Sequence, residues 1–410
     1  MASIKNNSIF SMPLQFEFRH LQQDDQRIYL DNAATTQKPQ SVIDAICRFY
    51  QRQNANVHRG SYASANLATN QYEAARHAVA KFIHAEDASH IVWTKGTTES
   101  INLVAYAWGQ KHIEKNDVIV VLGSEHHANF VPWQQLAKGK QARFEVVNIT
   151  DKGNVDLEHY RQLLTQRPKL VALQHCSNAL GNIHPIDILV ALAKQAGAIT
   201  LVDGAQAVAH LEVNVQEIGC DFYAFSGHKM YGPTGVGVLY LSQRVKAQMQ
   251  PFHYGGEMIQ HVSIEETRFR RIPYMLETGT PNISGVIGLK AAIDFMSSKA
   301  FKLLQEDEQA NHSYLVHQLK SIEGVRVYGD TDNNVGIVSF TIEGESASDI
   351  GTLLDEQGIA VRCGHHCAMP LMSALNIPGT IRASLAVYND KTDIDSFITA
   401  LNKTLDLLKV

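Results

Sequence analysis

The 410-residue sequence predicts an α/β protein, with a large unit built on a mainly parallel central sheet flanked by helices and a smaller C-terminal α/β unit. Three observations carry this. Between residues 28 and 237, short apolar runs rich in β-branched side chains alternate with longer amphipathic stretches, as strand and helix units do. The runs end in polar or small residues, where open α/β sheets place their ligands. After the turn-rich stretch 254–277 the texture changes and a second set of elements begins.

In chain order, strands are expected at 90–94 (His-Ile-Val-Trp-Thr), 117–122 (Asp-Val-Ile-Val-Val-Leu), 170–174 (Leu-Val-Ala-Leu-Gln), 198–202 (Ala-Ile-Thr-Leu-Val), 222–225 (Phe-Tyr-Ala-Phe) and 236–241 (Val-Gly-Val-Leu-Tyr-Leu). Each is short, apolar and bounded by turn-forming residues. The stretch 101–110 reads as an amphipathic helix, and 283–303 as another. Strands follow at 325–328 and 336–342. No internal repeat or low-complexity tract interrupts the order.

Composition narrows the class. A hydrophobic content of 45% supports a large core, and the length suits two or three units. Lys and Arg number 36 against 41 Asp and Glu, a formal charge of −5 without any block of like charges, which argues against nucleic acid or an anionic membrane as partner. Five cysteines are too few for a disulfide scaffold and one must stay unpaired, so a reducing compartment, the cytoplasm, fits. The first 30 residues are polar and mixed in charge, unlike a secretory signal. No window has the roughly 20 apolar residues of a membrane span, so a soluble protein is expected.

Asp203 closes one apolar run, and Lys229 follows in Ser226-Gly-His-Lys229 at the same sheet edge. A lysine for a Schiff base and an acid facing a pyridine nitrogen are what pyridoxal 5′-phosphate (PLP) requires. Taken alone the pair is equally a helix-capping Asp and a solvated loop Lys. Its setting, Asp203-Gly-Ala-Gln206 and Ser226-Gly-His-Lys229-Met-Tyr-Gly232-Pro-Thr-Gly235, resembles the class V aminotransferase-like enzymes of PLP fold type I. That resemblance implies Lys229 as the Schiff-base lysine, Asp203 as partner of the ring nitrogen and Gln206 as donor to the ring hydroxyl. It makes His126, in Glu125-His126-His127-Ala-Asn129, the ring-stacking residue and a proton carrier. His127 reads as a structural, hydrogen-bonding histidine.

Gly96-Thr97-Thr98-Glu99-Ser100 follows a strand and opens a helix, so its N–H groups and hydroxyls form an anion site or plain N-caps. The resemblance assigns Thr98, Ser226 and His228 to the cofactor phosphate. Glu277-Thr-Gly-Thr280-Pro-Asn282 is similar to the segment with which a neighbouring subunit reaches that phosphate through Thr280, which implies a homodimer.

Val361-Arg-Cys363-Gly-His365-His366-Cys367-Ala-Met-Pro370 lies in a turn-forming stretch where a thiol can move, beside histidines and an arginine that favour a thiolate. An inert cysteine, a metal site of Cys363, His365, His366 and Cys367, and a redox pair of the two thiols are the rival readings. The metal reading lacks a second ligand pair elsewhere in the chain, and no metal is expected. The run resembles the signature of group II (SufS-like) cysteine desulfurases, with the nucleophile at Cys367. Cys363 departs from that pattern, which has a small hydroxyl residue there. Thr380-Ile-Arg382-Ala-Ser384 matches the substrate-carboxylate arginine, Arg382, or else a strand arginine. Asn56-Val-His58-Arg59-Gly60 matches a motif lining the substrate site, and Asn178 a position near cofactor hydroxyl and substrate.

The resemblance runs from Tyr29-Leu-Asp-Asn-Ala-Ala34 to the C-terminus. It implies a segment 1–28 packing with the small domain, a large PLP-binding domain 29–276 and a small domain 277–410 carrying the cysteine loop. The implied activity converts L-cysteine to L-alanine, with a persulfide on Cys367 passed to a SufE- or SufU-like acceptor for iron–sulfur cluster assembly. Selenocysteine lyase or a cysteine-sulfinate-cleaving PLP enzyme is the nearest alternative, and a non-catalytic scaffold the remote one.

Overall fold

The computed structural model describes residues 17–18 and 27–408. Its strands are β1 (Ile28–Tyr29), β2 (Ile91–Thr94), β3 (Val118–Leu122), β4 (Arg143–Val147), β5 (Leu170–Gln174), β6 (Ile199–Asp203), β7 (Phe222–Ser226), β8 (Gly237–Leu241), β9 (Ile259–Val262), β10 (Thr267–Phe269), β11 (Val325–Tyr328), β12 (Ile337–Ile342), β13 (Ile359–Ala360), β14 (Arg362–Gly364) and β15 (Thr380–Ser384). Seven form one sheet in the order β2-β8-β7-β6-β5-β3-β4. Only β8 runs against its neighbours. The expected α/β class with a mainly parallel sheet is therefore observed.

Period 2 along the strands divides their side chains between two cores. Val118, Val120 and Leu122 of β3 face one, with the helices Gln40–Arg48, Ala63–Phe82 and Ile283–Met296. Ile119 and Val121 face the other, with the helices Thr97–Val104 and Val131–Lys140. Both faces are covered, which is why β3, β5, β6, β7 and β8 are buried throughout and read as unbroken apolar runs.

The second sheet, β11-β12-β15-β14, is antiparallel at every pairing. Its apolar face packs with the helices Lys299–Lys320, Ala347–Asp355 and Lys391–Leu408 around Phe340, Leu354, Ile381 and Phe397. β1 pairs in parallel with β13, joining the start of the described chain to this unit. The expected packing of residues 1–28 lies almost wholly outside the described residues.

The expected helix over 283–303 is instead two helices. Ser298 interrupts it, its hydroxyl accepting from the N–H of Phe301 (3.2 Å) as an N-cap for Lys299–Lys320. The first of the two, Ile283–Met296, places Val286, Leu289 and Ile293 in a core of the large sheet, although it follows residue 277 in the chain. β4 was not anticipated: it is the edge strand of the large sheet and carries Arg143 and Glu145 among its apolar residues.

Candidate active site

The carboxyl ends of β2, β3, β5, β6 and β7 converge on a cavity of about 220 Å³ that β14 and β15 close from the other side. Thr98, His126, Asn178, Asp203, Gln206, Ser226, His228, Lys229, Cys367 and Arg382 all line it, as do Arg362 and His366. Ten of the thirteen residues singled out from sequence thus meet in one place.

Ser226 ends β7 and ties the floor to the phosphate-type loop. Its hydroxyl accepts from the N–H of Thr97 (2.8 Å) and shares a hydrogen bond with the Thr97 hydroxyl (2.7 Å). Behind the loop, a Cβ at Gly237 would come within 2.4 Å of the Gly96 backbone, so only glycine lets β8 lie this close. The result is a helix N-terminus flanked by hydroxyls, a site suited to a phosphate.

Asp203 is buried at the end of β6, one carboxylate oxygen accepting from the N–H of Ala205 (2.9 Å). Burial raises its pKa, opposed by that N–H and by Lys229. Burial also pushes the Lys229 amine down to about 8, against the attraction of Asp203. Desolvation and Lys229 hold His126 at about 3, and its Nδ1 accepts from the N–H of Ala128 (3.0 Å), which leaves the ring neutral with its proton on Nε2. Gln206 donates to the Ala33 carbonyl (2.7 Å) from the cavity wall. A lysine amine facing a buried carboxylate, a neutral imidazole and a hydroxyl-lined helix start are together the donor set that PLP requires, so the residues fit that cofactor.

Strand alternation decides which residues of the small sheet face the cavity. Ile381 and Ala383 point into the second core, so Arg382 points out of it toward the large unit. Its Nη1 donates to the Asn178 carbonyl (2.7 Å) and its Nη2 to Asp31 (2.7 Å), and its Nε has no partner among the described residues. On β14 the same rule sends Arg362 toward the cavity and Cys363 into the core. A Cβ at Gly351 would meet the Cys363 sulfur at 2.5 Å, so that thiol fills a slot against the helix Ala347–Asp355. Burial pushes it up to about 11. Cys363 and Cys367 therefore lie on opposite faces, and among the described residues no three His, Cys, Asp or Glu side chains form a metal site.

His366 and Cys367 both have positive φ, 52° and 56°, a left-handed pair that costs on the order of 1–2 kcal/mol per residue. Outside contacts hold the pair. His366 bonds Thr380 through Nε2 (2.8 Å), and its carbonyl accepts from Asn178 (2.7 Å). The Cys367 N–H donates to His365 Nδ1 (3.1 Å), and its carbonyl accepts from the His127 N–H (2.7 Å).

The remaining three lie elsewhere in the single chain. His58 bonds Glu73 (2.9 Å), and Arg59 approaches Glu257 (3.4 Å). Thr280 lines a separate groove with Trp93 and Asn282. Sequence reasoning missed Asp31 as part of the site, and gave Arg362 only as a charge beside the thiol; His127 is the hydrogen-bonding histidine it was read as. Asp31 stood inside a quoted motif, but nothing in the sequence paired it with Arg382.

The aminotransferase class-V family model matches residues 28–397. The chain is 45% identical over 377 residues to the probable cysteine desulfurase of Halalkalibacterium halodurans, covering 92% of this chain and 93% of that protein. It is 44% identical to the cysteine desulfurase of Yersinia pestis, with 93% and 94% covered. Among solved structures it is similar to the apo cysteine desulfurase of Thermococcus onnurineus (TM-score 0.92, 38% identity, 99% and 100% covered). The Escherichia coli cysteine desulfurase CsdA in its S-sulfonic acid form is similar too (TM-score 0.90, 38% identity, 97% and 98% covered).

Proposed function

The chain belongs to the aminotransferase class-V family, and from that premise we propose that it is a PLP-dependent cysteine desulfurase, moving the sulfur of L-cysteine to Cys367 and leaving L-alanine. The observation that carries this reading is that Lys229 and Cys367, 138 positions apart, line one cavity.

When bound, the cofactor supplies an electron sink for the substrate α-carbon and so loosens the bond between β-carbon and sulfur. Asp203 would keep a ring nitrogen protonated, and Thr98, Ser226 and His228 would hold the phosphate. His126 would cover the ring as a neutral imidazole, its proton on Nε2 available for transfer. Lys229 would hold the aldehyde of the cofactor, and its Nζ is the base in the cavity that would take the substrate α-proton. Its pKa of about 8 leaves a working fraction uncharged near neutrality. Arg382 offers Nε, with Arg362 beside it, to the substrate carboxylate. Cys367 Sγ attacks the substrate sulfur: an S–S bond forms, the C–S bond breaks, and a proton ends on the β-carbon. The sum is L-cysteine plus a thiol giving L-alanine plus a persulfide, balanced without an outside oxidant.

The Arg-x-Gly-His-His-Cys-Ala run supports the SufS-like branch, and with it delivery to a SufE- or SufU-like acceptor for iron–sulfur assembly. Thr280, outside the cavity of one chain, would reach the cofactor phosphate of a second copy, and the protein should sediment as a homodimer of the 45.5 kDa chain. A reducing compartment such as the cytoplasm suits a thiol that must stay free to act.

Single-turnover mass spectrometry on the holoenzyme with L-cysteine tests the reading, comparing wild type with Cys367→Ala while alanine is assayed. One added sulfur on Cys367, lost in Cys367→Ala, is the expected result. Alanine release from cysteine that survives Cys367→Ala, with no persulfide in wild type, overturns it in favour of a direct lyase.

A further inference from the structure

We propose that His127 is a positioning residue that fixes the direction of the Cys367 thiol by gripping the cysteine turn at Cys367 and Met369. Its backbone N–H donates to the Cys367 carbonyl (2.7 Å), and its ring Nε2 accepts from the N–H of Met369 (3.1 Å). These bonds cross from the large unit to the small one. The ring also lies beside His365 (centroids 5.8 Å, planes 35° apart), whose Nδ1 holds the Cys367 N–H from the opposite side.

Nε2 can accept only while it carries no proton, so the grip needs the neutral ring with its proton on Nδ1. Burial and His365 both lower the His127 pKa, which keeps the acceptor available near neutrality. The titratable groups around it are His126 on its own turn, His365 and Cys367 on the cysteine turn, and Tyr106 across the neighbouring groove. A left-handed His366–Cys367 pair would relax toward commoner backbone angles without such ties, swinging the thiol away from the cavity. Reach within a few tenths of an ångström matters for a sulfur attacking sulfur.

The inference rests on Cys367 being the nucleophile, and its test separates the two claims. Holoenzyme carrying His127→Ala or His127→Gln is compared with wild type. Gln places a carbonyl oxygen at a similar reach and can accept from Met369, and Ala cannot. His127→Phe keeps the ring's bulk and replaces Ala if that variant loses its melting transition. One readout is the single-turnover rate of persulfide formation. The other is the rate at which iodoacetamide alkylates Cys367, followed by peptide mass. In His127→Ala, which loses the ring bond to Met369 and keeps the backbone bond to Cys367, persulfide formation should slow up to about tenfold, with KM changed less than about twofold. Alkylation of Cys367 should rise at least about threefold as the turn loosens, and Gln should restore both rates to within about threefold of wild type. Unchanged alkylation in the Ala or Phe variant, or a Gln variant as impaired as Ala, overturns the proposal. If wild type forms no persulfide, the desulfurase reading falls, and the alkylation rates still decide whether His127 holds the turn.

Discussion

At the scale of single residues, burial sets the charges the site works with. Lys229 loses part of its preference for the ammonium form to desolvation, so it is neutral above about pH 8 and not only above its ordinary 10.5. The rate at which cofactor-free enzyme captures pyridoxal phosphate should therefore climb with pH up to about 8 and then level. A rise continuing to pH 10 would mean that the amine is not desolvated. Glu125 is buried near Asp203, one oxygen accepting from Asn129 (2.8 Å) and the other without a partner among the described residues. Burial, and then the charge of Asp203, raise its pKa well above the ordinary carboxyl value, which favours the uncharged acid. Glu125→Gln, nearly the same shape and also uncharged, should leave the visible cofactor spectrum and melting temperature close to wild type. A shifted absorbance maximum would show that Glu125 carries charge in the native protein. The chemistry of Lys229, Asp203 and Cys367 was legible because reactive residue types stood in specific strings. The place of Cys363 was not, since only the pairing of β14 with β15 turns it toward Gly351.

At the scale of elements, the cradle is a junction of three strand ends and one helix start, and Ser226 is its joint. Ser226→Ala removes both bonds to Thr97, each worth roughly 1 kcal/mol net, so the threonine loop should sag and cofactor affinity fall by roughly tenfold or more. Equilibrium dialysis of pyridoxal phosphate measures this, and an unchanged affinity would remove Ser226 from the phosphate site. The central strands were readable because full burial on both faces leaves them almost wholly apolar, with polar residues mainly at their ends. β4 was unreadable for the opposite reason, as an edge strand whose Arg143 and Glu145 mimic a solvated loop. The break between Ile283–Met296 and Lys299–Lys320 depends on one capping serine, a signal too slight to stand out in an apolar stretch.

At the scale of the molecule, the cavity exists only where two cores meet, so its shape depends on how firmly the units are tied. Arg382 is one buried polar tie, and a charged one. It is 2% exposed, on a central strand of the small sheet, and reaches Asn178 in the large unit and Asp31 just after β1. No sequence pattern announces a pair 351 positions apart, which is why Asp31 escaped notice while Arg382 did not. Asp31→Ala would leave a buried guanidinium with one charge partner fewer, a loss on the order of 3 kcal/mol, trimmed somewhat because the Asp31 side chain keeps 23% of its exposure. Asp31→Asn keeps an oxygen acceptor and should lose less. The three tryptophans, Trp93, Trp108 and Trp133, all pack in the cores of the large unit, so fluorescence reports that unit and far-ultraviolet circular dichroism reports both. In urea the two signals should change together in wild type. In Asp31→Ala the dichroism should begin to fall first, as the small unit loosens while the tryptophans remain buried. Coincident transitions at the wild-type midpoint would mean that the apolar contacts, and not this ion pair, hold the cavity closed.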